Sequence, residues 1–568
     1  MQTENPNFTN IAAFLDEAEV KYPYKRAIVV PDGHDKDGRV LYSHLTFKQL
    51  NHEVNRAANA LSQIGIARGT RTIVMVTMGY DCFVIFFALL KIGAIPVVVD
   101  PGMGLDRMVQ CFQSTSPKAM ISIPKAHLLR FKYPKAFRAV DTFVSTDKFI
   151  WKHCHNYRGI IQNQPVDFET ALTRADETAA IMFTTGSTGP ARGAIYTHGG
   201  FKAQLEHIQK HLQLGPDEID LSTYPMFALF YPAMGVTAVI PDMDPTKPAE
   251  VDPTKIIEAI ENQGVTNMFA SPALLKRVGE YGVECKIKLP SLRRVISAGA
   301  PVPAAVIEMF SQMLNDDAVI HTPYGATEAV PVTDIQSPEI LSQTAEMTAK
   351  GFGLCVGRPI NDIEVKIIVI DDNSIPEWRD DLEVKTWEIG EIVVRAGHVS
   401  PGYYNNKKHD ELCKIQDGET FWHRMGDLGW RDDEGRIWYC GRKGHRVITQ
   451  AGELYTEPCE ALFNNHPNVL RSALVGYGSK HGKVPVVCIE TRAKLDDRQK
   501  RQLEQELREI AAANNITKNI LHFMFVDKFP VDIRHNSKIY REQLAEMAEE
   551  HYAIRRTGGK GAKKNARR

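Results

Sequence analysis

The chain has 568 residues, 43% of them hydrophobic and 24% charged, with a formal net charge of −1. That composition is globular and the length exceeds one ordinary core. The near-zero charge excludes a global electrostatic drive toward nucleic acid or an anionic membrane.

The opening Met1-Gln2-Thr3-Glu4-Asn5-Pro6 has no basic-then-apolar pattern, so no leader peptide is expected. Apolar residues recur at helical spacing over 47–64, and 72–78 has strand character. The longest apolar stretch, 82–99, is broken by Lys91, Gly93 and Pro96. It therefore predicts a buried helix over 83–91, a turn and a strand, and no bilayer span. This alternation of helix and strand predicts a layered α/β fold. Further on, 179–183 reads as a buried strand and 194–197 as a returning one, enclosing a loop of hydroxyls, glycines and one cation: Thr184, Thr185, Gly186, Ser187, Thr188, Gly189, Pro190, Ala191, Arg192 and Gly193. Glycines let a polyanion approach backbone N–H groups, and the hydroxyls and Arg192 add donors. The absence of a Gly-Lys-Ser/Thr ending argues against a Walker loop. A strand over 294–296 leads into Ser297-Ala298-Gly299-Ala300-Pro301. The nine cysteines contain no Cys-x-x-Cys pair, so neither a zinc site nor a disulfide framework is signalled. Reduced thiols and a cytoplasmic location are expected. The last fifteen residues, 554–568, hold seven Lys or Arg and no acid, a pattern that predicts a basic disordered tail.

The loop at 184–193 resembles the phosphate-binding signature of the adenylate-forming superfamily, although Pro190-Ala191-Arg192-Gly193 stands where the usual form has a Pro-Lys-Gly ending. Tyr324-Gly325-Ala326-Thr327-Glu328, Gly426-Asp427 and Gly441-Arg442 are similar to further motifs of that superfamily, in the right order. The resemblance implies an α/β architecture with a large layered AMP-binding domain over 1–441, a small mobile α+β lid over 442–553, and the tail beyond it. It implies ATP and Mg2+ as cofactors. Tyr324 offers a ring for adenine, Gly325 a turn, Thr327 a hydroxyl for the α-phosphate and Glu328 a hard oxygen for Mg2+. Gly299, Ala300 and Pro301 would close on the purine edge, Asp427 would accept from the ribose hydroxyls, and Arg442 opens the lid. Lys538 aligns with the superfamily's catalytic lysine, within His535-Asn536-Ser537-Lys538 instead of Pro-x-Gly-Lys. Such a cation would stabilise charge in displacement at phosphorus.

Departures from the common pattern narrow the reading. Tyr224-Pro225-Met226-Phe227-Ala228-Leu229-Phe230 carries alanine where acyl-CoA ligases place a histidine, and Lys443-Gly444-His445-Arg446-Val447 keeps little of the segment serving thioester formation. These phrases resemble the β-lactone synthetases of bacterial long-chain olefin biosynthesis. That resemblance implies ATP-dependent activation of a β-hydroxy fatty acid, closure by its own hydroxyl, and release of AMP. Phe227, Ala228 and Phe230 would line the acyl pocket, with core packing as the other reading. His198, His321, His445 and His535 are candidates for taking the hydroxyl proton. The small-molecule substrates are the expected partners, nucleic acid is not, and association with other olefin-pathway enzymes is compatible with the resemblance. A fatty acyl-CoA ligase and a non-catalytic nucleotide-binding scaffold stand as alternatives.

Overall fold

The computed structural model describes residues 9–147, 153–183, 191–224, 228–479, 482–531 and 539–561. Two seven-stranded sheets form the bulk of the larger part. The first runs Val319–His321, Arg294–Ser297, Asn267–Ala270, Ile219–Ser222, Thr237–Val239, Arg26–His34 and Val40–Thr46. It is parallel except for the last pair. The second runs His155–Asn156, Thr142–Ser145, Ala119–Ser122, Arg71–Met75, Ile95–Val99, Thr178–Phe183 and Gly193–Thr197, again with only the final pair antiparallel.

Between these sheets lies one apolar cluster that draws Ile28 and Ala238 from the first, Ile121, Ala180 and Met182 from the second, and the helices Phe47–Gln63 and Tyr80–Ile92. The helix Phe47–Gln63 starts where Thr46 and Gln49 cap each other, the Thr46 hydroxyl accepting from the Gln49 N–H and the Gln49 amide from the Thr46 N–H. In Tyr80–Ile92 every residue from Phe83 onward is buried, as its apolar run Phe83 to Leu90 requires. Lys91 is fully buried too, and its ammonium is satisfied by Asp16, Asn51 Oδ1 at 2.8 Å and Asn55 Oδ1 at 2.7 Å. The expected helix, turn and strand across 82–99 are therefore present, as is the strand-loop-strand at Thr178–Phe183 and Gly193–Thr197.

A third, antiparallel sheet runs Tyr324–Ala326, Ala329–Asp334, Leu354–Pro359, Ile437–Arg442, Thr420–Arg431, Gly390–Arg395 and Glu364–Ile368. Its bend falls at Leu354–Pro359, where the register shifts between Cys355 and Gly357. Gly357 has φ +80, and a Cβ there would stand 1.8 Å from the Asp334 carbonyl oxygen, so only glycine lets the neighbouring strand come this close. Beyond this sheet, the C-terminal part pairs Val469–Tyr477, Val484–Thr491 and His522–Phe525, packed by Thr456–Asn464, Asp497–Ala513 and Arg541–Gly561. The last helix is Arg541–Gly561. Leu544, Ala548 and Tyr552 pack it onto Ala473, Val475 and Tyr477. Among the described residues no helix is long and apolar enough to cross a membrane.

Trp430 and Trp438 face each other across paired strands with ring centroids 5.2 Å apart and 4° between planes. Trp438 is fully buried and its indole N–H donates to Asp432 Oδ2 at 3.0 Å. Trp438→Ala is expected to lower unfolding stability by about 3–5 kcal/mol in a urea titration followed by far-UV dichroism. A loss below about 1 kcal/mol would mean the stack is not a structural support.

Candidate active site

The carboxyl ends of parallel strands are where an open α/β sheet offers a crevice. Arg294–Ser297 and Val319–His321 are neighbours in register, Ile296 opposite His321, so the segments that follow them emerge together. One is Ala298-Gly299-Ala300-Pro301 and the other leads to Tyr324. Gly299 has φ +92, in the left-handed region that favours glycine at the turn. Beside it the Ser297 hydroxyl is buried without a hydrogen-bond partner among the described residues.

Asp427 and Arg442 are direct partners across antiparallel strands, which puts both side chains on one face. Arg442 Nη1 lies 3.0 Å from Asp427 Oδ1, and its other contact is the Met425 carbonyl at 3.2 Å. The Tyr324 hydroxyl donates to Asp427 Oδ2 at 2.6 Å. Tyr324 is four strands from Asp427 in the sheet order, about 19 Å if the sheet were flat, so the bend at Gly357 is what closes the gap. Burial pushes the Asp427 carboxyl up, while the Arg442 charge and the Tyr324 hydrogen bond oppose that shift. The Asp427 carboxylate in turn raises Arg442 further. The Arg442 contact is close but not aligned as a hydrogen bond, so Asp427 Oδ1 is a buried acceptor without a hydrogen-bond donor among the described residues. Such an atom fits a sugar hydroxyl.

A second group faces the phosphate-loop end. The Tyr403 hydroxyl donates to Glu328 Oε1, and Arg192 lies 6.0 Å from the Tyr403 ring. The backbone fixes this meeting: Ala194 bridges Tyr403, Ile195 N–H donates to Gly402 O at 3.0 Å, and Tyr404 N–H donates to Gly193 O at 2.8 Å. Glu328 O accepts from Ser400 N–H at 2.8 Å, and the buried Lys414 ammonium donates to Ser400 O. Burial pushes Lys414 down to about 7 despite nearby Cys413 and Glu328. The Tyr196 hydroxyl donates to the Thr327 carbonyl oxygen. With Tyr403 on Oε1, the other Glu328 oxygen is a hard ligand suited to Mg2+.

The structure thus brings Arg192, Thr327 and Glu328 together on one side and Tyr324, Asp427 and Arg442 on the other, linked by the hairpin that also holds Gly325. Thr184, Thr185, Gly186, Ser187, Thr188, Gly189, Phe227 and Lys538 lie outside the described residues, as does His535. Ala228 and Phe230 are buried in the intersheet cluster, with Phe230 5.0 Å from Phe201 and Phe201 4.8 Å from Tyr196. This aromatic ladder connects the expected acyl pocket to Thr327. Three candidate histidines are held elsewhere: His198 Nδ1 accepts from Ile11 N–H, His321 Nδ1 pairs with Asp334, and His445 lies 3.4 Å from Glu542. Sequence reasoning missed Tyr196, Ser400, Tyr403 and Lys414. Only Gly402-Tyr403-Tyr404 carried any signal, a turn glycine followed by paired aromatics.

Residues 15–404 match the model of the AMP-binding enzyme family. The chain is 41% identical over 542 residues to an olefin β-lactone synthetase of Xanthomonas campestris pv. campestris, covering 94% of this chain and 97% of that protein. It is 40% identical over 549 residues to the olefin β-lactone synthetase of Stenotrophomonas maltophilia, covering 95% and 98%. Its fold is similar to that of Bacillus subtilis O-succinylbenzoate coenzyme A synthetase solved with ATP and magnesium ion, with a TM-score of 0.73, 19% identity, and 94% and 98% of the two chains covered. A family match over most of the chain, joined to full-length kinship at this level, leaves one assignment: the chain belongs to the AMP-binding enzyme family and, within it, to the group of the olefin β-lactone synthetases.

Proposed function

We propose that the protein uses ATP to activate the carboxylate of a β-hydroxy fatty acid and closes it to a β-lactone, releasing AMP and pyrophosphate. The observation that carries the nucleotide half of this reading is the buried Asp427 carboxylate, held by Tyr324 and Arg442 with one oxygen still lacking a hydrogen-bond donor. Kinship with the two β-lactone synthetases supports the closure half.

In the first step a carboxylate oxygen attacks the α-phosphorus, the bond to pyrophosphate breaks, and acyl-AMP forms. Asp427 holds the ribose, Tyr324 and the 298–301 turn enclose adenine, and the loop from 184 onward with Arg192 meets the phosphates. Mg2+ held by Glu328 would neutralise charge on the departing pyrophosphate. Tyr403 keeps the Glu328 carboxylate oriented, and Lys538, assigned from its motif, meets the charge developing at phosphorus. In the second step the β-hydroxyl oxygen attacks the acyl carbon, the bond to AMP breaks, and the hydroxyl proton passes to the departing phosphate. Because the nucleophile is carried by the substrate, orientation alone lowers the barrier by roughly 7–11 kcal/mol. The acyl chain would lie beside Phe230, with Phe201 packed behind it, while water is kept out. A cytoplasmic site of action accords with nine unbridged cysteines, and an onward enzyme in olefin formation would take the lactone.

Incubation with ATP, Mg2+ and racemic β-hydroxy fatty acids is expected to yield a β-lactone identified by NMR, in equal amount with or without coenzyme A. Formation of an acyl-CoA thioester instead would contradict this reading. Asp427→Asn is expected to lower kcat/KM for ATP about tenfold to hundredfold, since it weakens a charged acceptor. Circular dichroism should be unchanged, and a fall below about threefold would remove Asp427 from nucleotide binding.

A further inference from the structure

His211, His321 and Asp334 converge from three different elements behind the hairpin that holds Tyr324. His211 stands in the last turn of the helix His198–Leu212, His321 ends the edge strand Val319–His321, and Asp334 ends Ala329–Asp334 of the antiparallel sheet. His211 Nε2 lies 2.8 Å from Asp334 Oδ2 and His321 Nδ1 lies 2.6 Å from the same oxygen. One ligand atom from each residue falls within 4.8 Å of the others. The Asp334 side chain is 3% exposed, and its second oxygen, Oδ1, has no hydrogen-bond partner among the described residues. His211 and Asp334 also line a cavity of about 340 Å³ with Gln336, Glu339 and Arg358. The Arg358 charge is already taken by Glu339 and Glu434, so it does not neutralise Asp334.

Two imidazoles and a carboxylate form the donor set of a late first-row divalent cation, and zinc sites of this kind keep a further position for water. We propose that His211, His321 and Asp334 form a transition-metal site, distinct from the Mg2+ position at Glu328, that pins the Tyr324 hairpin to the parallel sheet and to the helix following the phosphate loop. Binding replaces two N–H···O contacts by two nitrogen-to-metal bonds. Each neutral imidazole moves its proton to its other ring nitrogen, and an imidazolium would release one. Asp334 suits a cation by geometry: its Oδ2 already meets a nitrogen of each histidine and its Oδ1 is buried without a hydrogen-bond partner among the described residues. Thr333, next to Asp334, lies opposite Tyr324 in the sheet register, so a cation here would fix the strand that positions the aromatic ring. The His211 and His321 rings, 5.9 Å apart and near perpendicular, leave both nitrogens directed at one region.

The test uses the full chain stripped of metal with a chelator and then dialysed against Zn2+ or titrated with Co2+. Wild-type protein should retain a stoichiometric Zn2+ by elemental analysis, gain thermal stability, and show a visible Co2+ absorption band. His211→Ala, at the most exposed of the three ligands, should lose all three responses while melting like metal-free wild type. Glu328→Gln should keep them. Wild-type protein that retains no Zn2+ and gives no Co2+ band would overturn the site, because that measurement does not depend on any variant folding. Equal retention by wild type and His211→Ala would overturn the ligand assignment.

Discussion

A carboxylate taken out of water must find partners, and Asp427, 2% exposed, is the point on which the nucleotide crevice turns. One partner is local and one distant: Arg442 from the next strand of the same hairpin and Tyr324 from four strands away. Satisfying it therefore requires a bent sheet, and the bend requires a backbone approach at Gly357 that no side chain could tolerate. The tryptophan stack beneath the same strands stiffens that arrangement. The bend and the burial of Asp427 are one design seen at two scales.

What the sequence made legible follows from the range of the interactions concerned. The helix Phe47–Gln63, the turn after Tyr80–Ile92 and the strand-loop-strand around 184–190 are set by local patterning, so each was readable from a short window. Tyr324, Glu328, Asp427 and Arg442 were readable because their motifs are compact, but their mutual contacts were not. Tyr403 escaped notice because its place beside Glu328 is fixed by backbone pairing with Gly193 and Ala194, about two hundred residues earlier. His211 and Asp334 were invisible for the same reason, being 123 residues apart with no spacing to betray them.

The two halves of the proposed reaction make different demands on this scaffold. Adenylation needs charges placed around phosphorus, and in the proposed reading Arg192, Glu328 and the hairpin would meet the phosphates from fixed elements. Closure needs little added chemistry, only a confined substrate whose hydroxyl can reach its own acyl carbon. The ring contacts from Phe230 through Phe201 to Tyr196, whose hydroxyl donates to the Thr327 carbonyl, tie the intersheet core to that hairpin.

The central claim is that the acyl-adenylate is discharged by a nucleophile within the substrate and by none supplied from outside. The direct measurement is an acid quench of the enzyme mixed with ATP, Mg2+ and a fatty acid of matched length lacking the β-hydroxyl, with pyrophosphate and bound acyl-AMP counted per chain. The account predicts a stoichiometric burst that then stops, with acyl-AMP retained and coenzyme A without effect. Continuous pyrophosphate release stimulated by coenzyme A, with an acyl-CoA product identified by mass, would contradict it.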